Sequence, residues 1–184
     1  MDGTGFATIN RALWYSIRIK KRTTRREFLK LEGFADLDLQ MFGSILVSHG
    51  YANEAPLFIK VLKKRPPIME LGNIATDPGL LSRRNAQYVA DNGGTPYLKP
   101  KKNIQLNTRA RGCPAWKQMI QNHYQNKPKW KRHYNPRAIM EAMIRSIKRR
   151  FSETLLSKKR QCQKKEVQLK VAAYNALRLG YNTL

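Results

Sequence analysis

Along this chain the repeat of apolar residues lengthens from two to about 3.6, and that change limits the fold more than any single motif. "LWYSIRIK" (13–20) and "EFLKLEGFAD" (27–36) mix aromatic and branched residues with alternating polar ones, the pattern of strands half-buried in a sheet. The basic, Thr-containing stretch "KRTTRR" (21–26) reads as the turn between them, and "FGSILVSHG" (42–50) supplies a third strand closed by Gly50. Three such strands with short connections predict an antiparallel meander. In "NEAPLFIKVLKK" (53–64) the period changes: Leu57, Phe58, Val61 and Leu62 recur at helical spacing after Pro56, which a first helical turn tolerates.

Beyond the "RPP" break (65–67), "IMELGNIATDPG" (68–79) is an apolar run feeding a turn at Asp77-Pro78-Gly79. Ser82 is placed to cap a helix that Gly93-Gly94 stops, and "TPYLKPKK" (95–102) reads as another strand. From about 103 to 133 the chain is polar and basic, an insertion expected to hold a helix near "AWKQMIQNHY". After Pro136 an apolar stripe of Met140, Met143, Ile144, Ile147 and Phe151 marks a helix, and Val167, Val171, Tyr174 and Leu177 mark a last one ending near Gly180. The resulting α/β order, β-β-β-α-β-α-β-α, fits a mixed sheet with helices on both faces. The domain reading is 1–156 for the sheet and its helices, and 157–184 for a C-terminal helical extension.

Charge narrows the partner. Thirty-six Lys and Arg against 12 Asp and Glu leave a formal net charge of +24 in 184 residues, a self-repulsion that a polyanion relieves. Nucleic acid is the expected partner. No apolar stretch is long enough to span a bilayer and the N-terminus lacks signal-peptide order, so a membrane role is not expected and a cytoplasmic location is. Cys113 and Cys162 form no CxxC pair, and His49, His123 and His133 complete no zinc spacing with them.

Against that background the acids are conspicuous. Between Asp91 and Glu153 the single carboxylate is Glu141, in "YNPRAIMEAMIRSIK" (134–148). At 100° per residue, Arg137, Glu141, Arg145 and Lys148 share one stripe beside the apolar one. A plain i±4 pairing of Glu141 with Arg137 and Arg145 accounts for it in isolation. Asp2, in "MDGTGF", and Asp77, at the end of a strand, are each explained as turn formers or caps. Two strand-end aspartates and one helical glutamate together suit a hard cation such as Mg²⁺, which takes oxygen ligands.

The segment 134–148 resembles the Y-(2)-R-(3)-E-(6)-K signature of DDE-class insertion-sequence transposases of bacteria and archaea, with Tyr134, Arg137, Glu141 and Lys148 in the four positions. "MDGTGF" is similar to that family's first-aspartate segment and "TDPGLLSRRNAQYVADNGGTPYLKPKKN" (76–103) to its second, while "KKEVQLKVAAYNALRL" (164–179) resembles the usual tail. The resemblance implies a ribonuclease-H-like fold, a mixed five-stranded sheet with helices on both sides. It implies that Asp2, Asp77 and Glu141 are the catalytic, metal-binding triad for two Mg²⁺ or Mn²⁺ ions, Asp2 bridging both. Tyr134, Arg137 and Lys148, with Arg145 beside them, would contact DNA. Strand cleavage and strand transfer on double-stranded transposon ends and target, by a homodimer in a nucleoid-associated, prokaryotic setting, complete what it implies.

Three departures stand out. Glu32 occupies the position expected for histidine after "KL", and Glu54 one expected for aspartate. Asp2 follows Met1 directly, so most of the first strand, and an upstream helical region reading inverted repeats, are expected beyond the N-terminus, as in a truncated element. Two alternatives go with this reading. One is an inactive remnant that binds DNA; the other is a basic or ribosome-associated binder using Trp116, Tyr124, Trp130 and Tyr134 for stacking.

Overall fold

The computed structural model describes residues 1–8 and 28–183. Alternation of side chains builds its main sheet. Strand β1 (Asp2–Thr8) pairs antiparallel with β2 (Phe28–Asp36), which pairs antiparallel with β3 (Met41–His49). A short parallel strand, β6 (Thr154–Leu155), joins the other edge of β1, giving the order β3-β2-β1-β6. A second, parallel pair is formed by β4 (Asn73–Thr76) and β5 (Thr95–Leu98). Between the two sheets runs one backbone-type bond, from the Met1 nitrogen to the Ala75 carbonyl at 2.8 Å.

The helices cover both faces. Helix α1 (Glu54–Lys63) is capped by Asn53, whose side chain accepts from the Ala55 N–H, and it carries Glu54 in the first turn and Lys60 and Lys63 in the last, as the helix dipole favours. It packs Phe58, Val61 and Leu62 against Met1, Phe34, Leu71 and Ile74. On the opposite face, α5 (Arg137–Phe151) and α6 (Arg160–Asn182) bury Met140, Met143, Ile144, Ile147, Val167, Val171 and Tyr174 against Phe6, Leu29 and Leu31. A third cluster joins α2 (Arg83–Asp91), β5 and α3 (Pro114–Gln125) through Ala86, Leu98, Trp116, Met119 and Ile120. Helix α4 (Lys127–Tyr134) bridges α3 to α5.

Several expectations hold as drawn: β2 and β3, the helix with Pro56 in its first turn, the Ser82 cap accepting from the Asn85 N–H, and Gly93 at φ +80° beyond the end of α2. Others are corrected. The edges of β2 are taken by β1 and β3, so the partner of β2 is the strand beginning at Asp2; the stretch 13–20, expected as the meander's first strand, lies outside the described residues. Gly3 and Gly5 sit within that strand rather than at its end. The single mixed sheet is replaced, among the described residues, by a four-stranded and a two-stranded sheet, because only the Met1 nitrogen reaches β4 and one bond is not a ladder. The basic insertion holds two helices rather than one. The last helix, read as an extension, places Val167, Val171 and Tyr174 in the same core as the sheet.

Candidate active site

Strand register decides which acids meet. Asp2 is opposite Gly33 and Gly3 is opposite Glu32. Because side chains alternate, Asp2 shares its face with Leu31, Leu29 and Phe6, the face that α5 covers, whereas Glu32 shares its face with Phe34, toward α1. Glu141 lies one turn into α5, and Arg137 is the first residue of that helix after Pro136. Asp77 follows β4 directly, at the cap position of a 3₁₀ turn (Pro78–Leu80), but its side chain makes no capping hydrogen bond. The capping explanation for Asp77 therefore has no bond behind it.

The three carboxylates converge on one guanidinium. Arg137 lies 2.8 Å from Asp77 Oδ1, 2.6 Å from Glu141 Oε1 and 3.6 Å from Asp2 Oδ2. Its side chain is 16% exposed, against 12% for Asp2, 40% for Asp77 and 48% for Glu141, so the cluster is closed beneath Asp2 and open toward solvent at the other two acids. Asp2 also accepts from the Gly3 N–H at 2.9 Å. Burial, reinforced by the Asp77 charge, pushes the Asp2 carboxyl up to about 6, with the Gly3 N–H and Arg137 opposing. Burial works against the charge of Arg137, but Tyr134 and the three carboxylates outweigh it and raise its pKa. The i±4 expectation is half met: Glu141 pairs with Arg137, while Arg145 is exposed and forms no ion pair among the described residues.

The remaining candidates line the same end of α5 or run along it. Tyr134 stacks on Trp130 at 4.6 Å between ring centroids, with Arg137 5.6 Å over its face and Lys99 at 5.9 Å. Lys148 lies three turns further on, 3.8 Å from Glu153 and 5.7 Å over the Phe6 ring. Of the four aromatics weighed as stacking residues, Trp116 and Trp130 are buried at 3% and 4% exposure, and Tyr124 donates its hydroxyl to the Ile104 carbonyl. Core packing explains the two tryptophans.

Sequence reasoning missed two features. One is the central place of Arg137, which the stripe 137/141/145/148 signalled only as a neighbour of Glu141. The other is the burial of Glu32, which the sequence marked only as a departure: it is completely buried, with neither carboxylate oxygen hydrogen-bonded and both seated 2.6 Å from where a Cβ on Gly3 would stand. Burial, then the Glu54 charge, pushes Glu32 up to about 7, with Lys30 opposing. Glu54 itself pairs with Lys30 at 2.8 Å.

Oxygen-only donors surrounding a cation are chemically suited to a hard divalent ion, and here a guanidinium already stands where positive charge is stabilised. Among the described residues no three Asp, Glu, His or Cys side chains lie close enough, as they stand, to share an ion. Nor, among them, is any helix long and apolar enough to cross a membrane.

No curated protein and no solved structure matches the chain. A family model described as the transposase DDE domain matches residues 1–176, which span every side chain of this cluster, and the chain belongs to that family.

Proposed function

We propose that this chain carries out divalent-metal-dependent cleavage and strand transfer of double-stranded DNA, with Asp2, Asp77 and Glu141 as the acidic triad. The observation that carries the reading is the convergence of those three carboxylates, far apart in sequence, on the guanidinium of Arg137. A ribonuclease-H-like arrangement, implied by the family, agrees with the mixed sheet and its helices. Mg²⁺ or Mn²⁺ bound there, as a pair, supplies an activated oxygen nucleophile and stabilisation of the leaving oxygen.

The chain's own side chains have distinct tasks. Asp2, held in β1 by the Gly33 pairing and by the anchored Met1 nitrogen, is the fixed ligand. Asp77 and Glu141 stand on its open side, where a phosphate can approach. Tyr134, Arg137, Arg145 and Lys148 present hydrogen-bond donors and charge to the DNA backbone, the two ends as substrate and a second copy of the chain completing the assembly. No side chain is required to form a covalent bond to DNA.

Glu141→Gln and Asp77→Asn are expected to abolish Mn²⁺-dependent nicking of a transposon-end duplex while far-UV circular dichroism stays unchanged. Full activity in either variant would end the triad assignment. A second reading, a DNA-binding protein without chemistry, is favoured by the spacing of the acids: among the described residues no three lie close enough, as they stand, to share an ion. It predicts unchanged DNA affinity and no cleavage in any divalent metal.

A further inference from the structure

Arg137 has more contact with the acids than a DNA-binding side chain needs. Its two terminal nitrogens reach all three carboxylates, and among the described residues no Lys or other Arg forms an ion pair with Asp2, Asp77 or Glu141. Three carboxylates against one guanidinium leave the cluster short of positive charge. A divalent ion supplies what is missing, yet it and the guanidinium cannot share the space, since they repel and seek the same oxygens.

We propose that Arg137 is a built-in competitor of the divalent cation: its guanidinium holds the three acids together in the metal-free protein and leaves when the ion enters. This rests on the metal-site reading above. Two features make the exchange practicable. The ion pairs with Asp77 and Glu141 are to carboxylates 40% and 48% exposed, and pairs of that kind are weak. The Tyr134 ring, 5.6 Å from the guanidinium carbon, offers a face on which the displaced group can rest. Once free, its planar fork is suited to a phosphate oxygen pair, so that loading the metal and engaging the DNA end become linked events. Before loading, the same guanidinium prevents three acids from facing each other unneutralised.

The competition is read by calorimetric titration with Mn²⁺ alone, without DNA. Coupling between linked sites is typically about 5–150-fold, so Arg137→Gln is expected to bind Mn²⁺ at least about fivefold more tightly than the unaltered chain. Arg137→Lys, whose shorter side chain cannot bridge all three acids, is expected to tighten binding by a smaller factor and serves if the glutamine variant does not fold. In chelator, Arg137→Gln should melt below the unaltered chain, and Mn²⁺ should close the gap. Equal or weaker Mn²⁺ binding in both variants would overturn the competition while leaving the metal site intact. Absence of Mn²⁺ binding in the unaltered chain and both variants would remove the metal-site reading, and the competition with it.

Discussion

At the scale of single residues, the two buried acids behave differently because they lie on opposite faces of one strand pair. Asp2 has Arg137 and the Gly3 N–H; Glu32 has no hydrogen bond to either oxygen. A carboxyl buried in this way retains its proton in the folded chain up to about 7, whereas the unfolded chain releases it near 4.5. The folded state thus binds more protons across that window, and stability falls as pH rises through it, then levels above. At roughly 1.4 kcal/mol per pKa unit the loss is on the order of 3 kcal/mol. Glu32→Gln removes the ionisation, so its urea-unfolding free energy should decline less than that of the unaltered chain between pH 4.5 and 8, by about that amount. Equal slopes would show that Glu32 is solvated or paired in solution. The sequence showed Glu32 as an anomaly but not its burial, because position in a strand fixes the face and only the register with Gly3 shows that a side chain is absent opposite. The three acids that meet Arg137 were singled out by resemblance, Asp2 and Asp77 through their segments and Glu141 through its signature; the guanidinium that gathers them was not, since i±4 spacing names a neighbour without saying what lies across the sheet.

At the scale of elements, the last helix shows where periodicity was sufficient and where it was not. Val167, Val171 and Tyr174 gave the helix and its buried stripe, while Leu177, read as part of that stripe, is exposed, and nothing in the spacing identified the surface they cover. In the structure that surface is the β3 edge, where Tyr174 meets Phe42 edge-on at 5.9 Å between ring centroids. Asn175 completes the junction: its side-chain oxygen accepts from the Phe42 N–H at 2.9 Å and its amide donates to the Phe42 carbonyl at 2.8 Å. These bonds come from a polar residue that reads as surface in a helical pattern. They satisfy both backbone groups of one residue at the strand's outer edge, near the irregularity between Phe34 and Ala35 in the β2 register. Asn175→Ala leaves that pair to water and is expected to lower stability by about 1–3 kcal/mol. Asn175→Ala should therefore shift the urea midpoint downward without changing the slope of the transition. An unchanged midpoint would mean that water replaces the amide fully. Strands β2 and β3 were legible from their alternation, whereas the two-residue β6 and the split into two sheets were not. The placement of β1 at Asp2–Thr8 was not, because "DGTGFAT" has two glycines and little apolar alternation, and it becomes a strand by pairing with β2 rather than by propensity.

At the scale of the whole molecule, one cause should move two measurements in opposite directions. The formal net charge of +24 places most surface cations near other cations, a repulsion that the folded chain concentrates and the unfolded chain relieves. Added salt shortens the screening distance to about 10 Å at 0.1 M, so the melting temperature should rise with ionic strength. The ion pairs of the acid cluster and of Lys30 with Glu54 oppose this trend, but among the described residues they are few beside the cations that form no ion pair. DNA binding should respond the other way. Six to ten phosphate contacts would cost about 10³–10⁵ in affinity between 50 and 200 mM salt, because condensed counterions are no longer released into dilute solution. Melting curves and duplex titrations across that range, on one preparation, test both signs. If the melting temperature falls with salt instead, local ion pairs rather than net repulsion govern the fold, and the positive charge is already balanced where it matters; weak salt dependence of binding would then follow from the same distribution.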